Sequence, residues 1–320
     1  MERVLNNTEL ANPRPRKKKR WIKSATIFVI VMLLYPVAHF LIMWIAVNFN
    51  SILLCFQRMN GMTGEVTWVG FKDLFYNFET MFMEFKTDSI QNMFIASAAY
   101  PVISCFITLP IALFFSYFIF KKIVANGFFK VIFFLPSIIP LVVLTLAYRL
   151  TLSINGPLGQ LMINMGASVD FVAGLFNGWP SASIMVWIFC IWAGIGYDVI
   201  LLTAGMARIP RDILESCKMD GVPSFKEFIR IVVPLTWPTI TTLFILGLMS
   251  MFNVYLQPFF LVGGVVPTTR TVTLGLKIYT EANNSKQIIA TYGIFCSIIG
   301  APVIMTIRHF LNKMFAEVNF

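Results

Sequence analysis

Residues that could form a catalytic or metal centre are few in this chain and are scattered along it. The histidines are His39 and His309, and the five cysteines include no C-x-x-C pair. A zinc site needs closely spaced Cys and His ligands, and acid–base catalysis needs a positioned group with a suitable pKa. The chain also has no G-x-x-x-x-G-K-[ST] segment, the loop that holds ATP phosphates. We therefore predict no catalytic residue, no metal and no cofactor bound by this chain, and do not classify it as an enzyme.

Polar side chains inside apolar stretches are better candidates for function. Asp198 is the one acid in the apolar run that contains WAGIGYDVILL, and Tyr197 precedes it. A charge at the centre of a membrane costs about 2.5–3.5 kcal/mol on insertion scales, so such a group indicates function. Asp198 is suited to bind a solute hydroxyl or a cation, and Tyr197 to stack on a solute. The alternative is a structural Asp198 that a neighbouring helix satisfies.

A second polar group lies in the run 231–269, which contains no charged residue. We predict that Asn253 and Gln257 share one face of this helix and that Tyr255 points away from it. Amide hydrogen bonds combined with an aromatic face suit a sugar. The predicted solute path therefore contains Asp198, Tyr197, Asn253, Tyr255 and Gln257.

A polar insert at 208–234 separates two of the most apolar runs. Pro210 suits a first helical position, Gly221 a C-terminal stop, and Ser224 with Glu227 an S-x-x-E capping box. These signals predict two short helices with a turn between them. The second helix has an apolar stripe formed by Phe225, Phe228, Ile229 and Val232. This stripe either packs against the protein's own helix ends or fits a groove on a partner.

The elements that must position these groups are membrane helices. Hydrophobic residues make up 58% of the chain and charged residues 12%, whereas soluble domains carry about 25% charged residues. A bilayer core about 30 Å thick needs roughly 20 apolar residues per spanning helix. We predict an all-α integral membrane protein with six transmembrane helices, at about 24–49, 89–120, 130–150, 180–207, 232–262 and 287–310.

The distribution of charge predicts which parts face the cytoplasm. Most of the 25 basic residues fall in the N-terminal tail, the region around 121–130, the polar insert and the C-terminal tail. The positive-inside rule therefore places both termini and the insert in the cytoplasm. The segment RPRKKKR at 14–20 is interpreted as an anchor at the lipid surface, and no nucleic-acid partner is expected. The predicted organisation is a basic cytoplasmic tail at 1–23 followed by a transmembrane domain at 24–320.

The polar insert resembles the cytoplasmic motif of permeases in ATP-binding-cassette importers. That motif reads E-A-A, three residues, Gly, nine residues and I-x-L-P. The matching positions are Glu215, Ser216 and Cys217, then Gly221, then Ile231 and Pro234. The spacing is the same, while Ser and Cys replace the two alanines and Val233 replaces the leucine. The segments KVIFFLPSIIPLVV at 130–143 and FNVYLQPFFLVGG at 252–264 are similar to maltose-type and related oligosaccharide permeases.

This resemblance implies a permease subunit of a bacterial importer in the cytoplasmic membrane, moving a sugar or oligosaccharide. ATP-Mg would be bound and hydrolysed by a partner ATPase. Glu215 would be a polar contact to that ATPase and Gly221 the turn. The other implied docking residues are Ser216, Cys217, Asp220, Ile231 and Pro234. The implied partners are two ATPase subunits, an extracytoplasmic substrate-binding protein and a second permease subunit that is a different chain.

Two alternatives stay open at this point. The importer motif does not exclude a solute other than a sugar. An ion-coupled secondary transporter would use Asp198 as its coupling site, but such a protein has no need of a helix pair with this spacing. Transport that survives the loss of Glu215 and Gly221 but not of Asp198 would favour it.

Overall fold

The described part of the chain is built almost entirely from helices. The computed structural model describes residues 24–59, 65–69, 75–262 and 271–314, so the predicted tail at 1–23 lies outside it. The elements up to residue 120 are α1 (Ser24–Leu54), β1 (Gln57–Met59), β2 (Val66–Trp68), α2 (Tyr76–Glu84), α3 (Asp88–Ile103), a π-helical turn (Ser104–Thr108) and α4 (Leu109–Phe120). Those up to residue 206 are α5 (Asn126–Ile138), α6 (Leu141–Leu152), α7 (Pro157–Asn164), α8 (Val169–Ala173) and α9 (Ser181–Met206). The remaining elements are α10 (Arg211–Met219), α11 (Ser224–Glu227), a second π-helical turn (Phe228–Val232), α12 (Val233–Leu235), α13 (Trp237–Asn253), α14 (Leu256–Val262), α15 (Leu274–Glu281) and α16 (Lys286–Met314).

The all-α prediction is confirmed for these residues, apart from a short antiparallel ribbon in which Gln57 pairs with Trp68. Five segments of the described chain are long and apolar enough to cross a membrane: Thr26–Leu54, Asp88–Phe120, Leu141–Asn164, Ser181–Met206 and Lys286–Met314. A sixth results if Ser224–Leu235 and Trp237–Asn253, which are bent by 75°, form one span. The count of six and the cytoplasmic position of both termini stay predictions.

Two compact units make up the chain, with the division after Ser51. The described part of the first unit is one continuous helical segment of α1, whose side chains are largely exposed. The second unit contains all the other elements and every residue predicted for the solute path or for docking of an ATPase.

Two of the predicted spans differ from the helices observed. The predicted helix at 130–150 is interrupted, because α5 ends at Ile138 and α6 begins after Pro140. Ile139 is extended, as expected of a residue that precedes proline. The predicted helix at 232–262 is interrupted at Thr236 and again after Asn253.

A buried cluster joins α4, α9 and α13, and it holds together the helices that form the site. Its members are Leu109, Ala112, Ile119, Val199, Leu202, Ile240 and Leu243. At Gly196 the backbone of α9 approaches the carbonyl oxygen of Phe133 on α5 so closely that a Cβ atom would overlap it. Lipid tails are as apolar as leucine, so close packing and interhelical hydrogen bonds stabilise such contacts in a membrane.

Candidate functional site

A cavity of about 310 Å³ lies among α3, α9, α13 and α14, next to the first π-helical turn. Its polar lining comes mainly from Ser104, Thr108, Tyr197, Asp198, Ser250 and Gln257. A π-helical turn is wider than an α-helical turn and is frequent at functional sites. Three of the five residues predicted for the solute path, Asp198, Tyr197 and Gln257, are thus brought together.

Asp198 faces this cavity without a protein partner. The carboxylate is half-buried, and within the described part of the chain it forms neither a hydrogen bond nor an ion pair. An isolated carboxylate in an apolar surrounding is unfavourable unless it is hydrogen-bonded. If Asp198 had a purely structural role, a neighbouring helix would have to supply a hydrogen-bond partner for it. The described residues include no such partner. The Asp198 carboxylate is therefore free to accept hydrogen bonds from a ligand in the cavity.

Gln257 supplies a second unpartnered acceptor at the same cavity. Its Oε1 atom is buried and has no hydrogen-bond partner among the described residues. Leaving such an acceptor unpaired costs about 1–3 kcal/mol. The carboxylate of Asp198 and the amide of Gln257 together suit a ligand that carries hydroxyl donors.

The other two predicted path residues lie elsewhere. Asn253 is exposed and lines a second cavity of about 460 Å³ between α13 and α16. Tyr255 packs its ring 5.2 Å from that of Tyr279. Asn253 and Gln257 do not share a helix face, because α13 ends at Asn253 and α14 begins only at Leu256.

The first helix of the polar insert ends as the sequence predicts. Gly221 has a φ of +64°, a conformation that glycine adopts without a Cβ penalty. The Gly221 amide donates to the carbonyl of Lys218, and the Val222 amide donates to that of Cys217. This pair of bonds is a Schellman motif, which satisfies two of the last carbonyls of α10.

The predicted capping box at the start of the second helix is wrong. Pro223 is the N-cap residue of α11, and no side chain caps the helix. Glu227 is instead buried, and its carboxylate pairs with Lys121 at the end of α4. Pro210 likewise precedes α10 as its N-cap and is not the first helical residue. In both cases the real helix begins one residue away from the predicted position.

The residues of the insert divide into a buried set and an exposed set. Cys217 and Val232 are buried, while Ile231 and Pro234 are half-buried. Glu215, Ser216, Asp220 and Gly221 are exposed. The predicted apolar stripe also divides, since Phe228 packs 4.8 Å from the ring of Tyr117 while Phe225 and Ile229 are exposed. With Met219, the insert therefore presents apolar and acidic groups outward together.

An ion-pair cluster that the sequence reasoning missed joins α2, α15 and α16. Glu84 accepts hydrogen bonds from Lys277 Nζ at 2.9 Å and from Tyr292 Oη at 2.7 Å. Burial by itself would raise the pKa of Glu84, but these bonds from Tyr292 and Lys277 outweigh it and lower the pKa. Glu84 lies 193 positions from Lys277 and 208 positions from Tyr292 in the sequence, and no local motif relates them.

Comparison with known protein families gives one extended match. The family model described as "binding-protein-dependent transport system inner membrane component" matches residues 81–316. This range contains the cavity, the polar insert and the ion-pair cluster.

Several curated proteins are similar to the chain. The multiple sugar-binding transport system permease protein MsmF of Streptococcus mutans is 30% identical over 166 residues, which cover 52% of this chain and 56% of that protein. The lactose transport system permease protein LacF of Rhizobium radiobacter is 28% identical over 165 residues, which cover 49% and 53%. The match thus spans about half the length of each of these two relatives. The diacetylchitobiose uptake system permease protein NgcF of Streptomyces coelicolor is 24% identical, with 86% of this chain and 78% of that protein covered.

A solved structure shares the fold. It is a bacterial ABC transporter involved in the import of the acidic polysaccharide alginate, with a TM-score of 0.70 and 20% identity. The match covers 91% of this chain and 95% of that one. A second structure of an alginate transporter, in complex with a periplasmic protein that holds an alginate pentasaccharide, has a TM-score of 0.69.

Proposed function

This chain belongs to the family of binding-protein-dependent transport system inner membrane components, and we propose that it is the permease subunit of a bacterial sugar importer. The resemblance seen in the spacing from Glu215 to Pro234 is thereby confirmed. The solute proposed is a sugar or oligosaccharide that carries no negative charge. The proposed location is the cytoplasmic membrane, with both termini and the polar insert in the cytoplasm.

The observation that carries this proposal is the cavity with its two unpartnered acceptors. A solute that crosses a membrane must leave water, and its hydroxyl groups then need new hydrogen-bond partners. Asp198 and Gln257 offer such partners on two different helices, and Tyr197 adds an aromatic ring at the same place. Similar sugar permeases from three bacteria support the assignment to saccharides.

The charge of the lining favours a neutral or basic saccharide over an acidic one. The described residues around this cavity include one carboxylate, Asp198, and neither lysine nor arginine. A uronate close to Asp198 would place two negative charges together in a poorly solvated space, where their repulsion is weakly screened. In this respect the proposed solute differs from the alginate carried by the structurally similar transporter.

The polar insert is proposed to dock on an ATPase subunit. The exposed Glu215 and Asp220 provide polar contacts, and the exposed Met219, Phe225 and Ile229 provide apolar ones. An amphipathic helical segment of this kind fits a groove on a partner protein. ATP-Mg would bind to that partner, and its hydrolysis would drive the change between outward and inward openings of the cavity.

The remaining proposed partners complete the importer. A second permease subunit of different sequence would provide the other half of the path, and each permease would engage one of two ATPase subunits. An extracytoplasmic binding protein would deliver the solute, as the periplasmic protein in the alginate complex supports.

The test is reconstitution in liposomes with the candidate ATPase, sister permease and binding protein. Uptake and ATP hydrolysis are measured with neutral oligosaccharides, amino sugars and uronate oligomers. We expect ATP-dependent uptake of a neutral or amino saccharide and none of the uronates. Uptake driven by an ion gradient without ATP would refute the importer function. In that case an ion-coupled transporter with Asp198 as its coupling site, the competing hypothesis, would replace it.

A further inference from the structure

An ion pair between a half-buried lysine and a buried glutamate fastens the second half of the polar insert to the end of α4. Lys121 Nζ lies 2.6 Å from Glu227 Oε1 and donates a hydrogen bond to Oε2 at 2.8 Å. The side chain of Glu227 is 3% exposed and that of Lys121 is 26% exposed. Lys121 is also the C-cap residue of α4, where a positive charge is favourable to the helix dipole.

Tyr117 adds a second attachment one helical turn before Lys121. Its hydroxyl group donates a hydrogen bond of 2.9 Å to the carbonyl oxygen of Ser224, the first residue of α11. Its ring packs 4.8 Å from that of Phe228, and Lys121 Nζ lies 5.6 Å from the ring centre of Tyr117. Tyr117, Lys121 and Glu227 thus form one connected unit, named here the α4 link.

The helix that carries the α4 link continues to the cavity. Segment Asp88–Phe120 is a single long helical span that includes the first π-helical turn. Ser104 and Thr108, at the two ends of that turn, line the cavity that Asp198 faces. Lys121 follows Thr108 by thirteen positions along this helix, a distance of about 20 Å at 1.5 Å per residue.

We propose that the α4 link transmits movement of the polar insert to the wide turn at Ser104–Thr108 and so opens or closes the solute cavity. The proposal rests on the function proposed above, because it assumes that an ATPase moves the insert. Displacement of α11 carries Glu227 with it, and the buried pair forces α4 to follow, since separation would leave Glu227 as an uncompensated buried charge. Lys121, Glu227 and Tyr117 are therefore positioning residues that act on the cavity through α4.

The test uses the complete importer in liposomes and measures the number of saccharides transported per ATP hydrolysed. Lys121→Met and Glu227→Gln each break the ion pair, whereas Tyr117→Phe removes the hydroxyl group that bonds to the Ser224 carbonyl and leaves both members of the pair in place. We expect the transport-to-ATP ratio to fall by about 2- to 30-fold, the range that corresponds to typical coupling energies. ATPase association should persist, because Glu227 is buried and does not belong to the exposed docking residues.

Two further variants separate transmission from simple loss of structure. The double variant Lys121→Glu with Glu227→Lys restores an ion pair with the charges exchanged. It should recover part of the lost ratio, because a carboxylate at the C-terminus of α4 is less favourable to the helix dipole than the native lysine. Lys122→Met, which changes the exposed neighbouring lysine, is the matched control and should behave as wild type.

The outcomes distinguish this proposal from the function on which it rests. If the wild-type importer moves no saccharide, the proposed function has failed. If wild type transports and the single variants that assemble keep its transport-to-ATP ratio, the α4 link is structural and the proposal is overturned. If neither ion-pair variant assembles, Tyr117→Phe decides, because it leaves the pair intact, and an unchanged ratio in it overturns the proposal.

Discussion

Replacement of Asp198 by asparagine should have opposite effects on stability and on transport. The carboxylate has no hydrogen-bond partner among the described residues, so the near-isosteric change removes an uncompensated charge and no protein contact. Thermal stability should therefore stay the same or increase. A hydrogen bond from a solute hydroxyl to a charged group contributes about 1.5–3 kcal/mol, so transport efficiency should fall roughly 10- to 100-fold.

The assay combines thermal unfolding of the detergent-solubilised protein with saccharide uptake in reconstituted liposomes. Ser183→Ala is the matched control on the same helix, because Ser183 Oγ and Thr271 Oγ1 form a buried hydrogen bond of 3.1 Å. That variant should lose about 1–3 kcal/mol of stability and keep its uptake per folded molecule. If Asp198→Asn is destabilised while its uptake per folded molecule is normal, Asp198 is structural and the reasoning about the cavity is refuted.

Further predictions concern the insert, the ion-pair cluster and the packing of α9. Gly221→Ala should destabilise the Schellman turn by about 1–2 kcal/mol, because alanine is strained at this positive φ, and it should reduce co-purification of the ATPase. Gly221→Asn should lose less stability and less co-purification, because asparagine tolerates a positive φ better. Equal losses in the two variants would contradict the role given to the positive φ. Because the pKa of Glu84 is lowered below 4.5, its stabilising contribution is complete above that pH and is lost as the pH falls through the lowered value. The melting temperature of wild type should therefore fall more steeply in this acidic range than that of Glu84→Gln, and parallel curves would speak against the cluster. Gly196→Val should prevent folding or destabilise the protein by several kcal/mol, because the valine side chain would overlap the Phe133 carbonyl. Size-exclusion chromatography of the protein fused to a fluorescent protein measures the folded fraction. Gly293→Ala is the control, because there is open space around Gly293.

Features that depend on a few neighbouring residues could be predicted from the sequence. The end of α10 at Gly221 was predictable because only glycine adopts a positive φ without strain, and the observed hydrogen bonds confirm it. The 20-residue spacing from Glu215 to Pro234 also identified the family, because a spacing of this kind is a local pattern that can be read directly from the sequence. The long apolar runs likewise predicted the helical segments.

The predictions that failed used local spacing alone, whereas the observed structure depends on distant contacts or on an interruption of the helix. Ser224 and Glu227 have the spacing of a capping box, but the buried Glu227 carboxylate gains more from the half-buried lysine beside it than from a backbone amide at a helix end. Asn253 and Gln257 have helical spacing, but the chain leaves the helix between them. Neither outcome can be inferred from the types of residue at those positions.

The sequence alone determined the class of protein, the approximate positions of its helices and the presence of the insert. These properties follow from hydrophobicity and from backbone chemistry, which act over a few residues. Tertiary structure decided which polar groups meet. It placed Asp198 and Gln257 at one cavity, moved Asn253 to another, and paired Lys121 with Glu227 and Glu84 with Lys277. The physical reason is that a polar group in an apolar interior is satisfied by whichever partner the packing of helices brings within about 3 Å, regardless of separation along the chain.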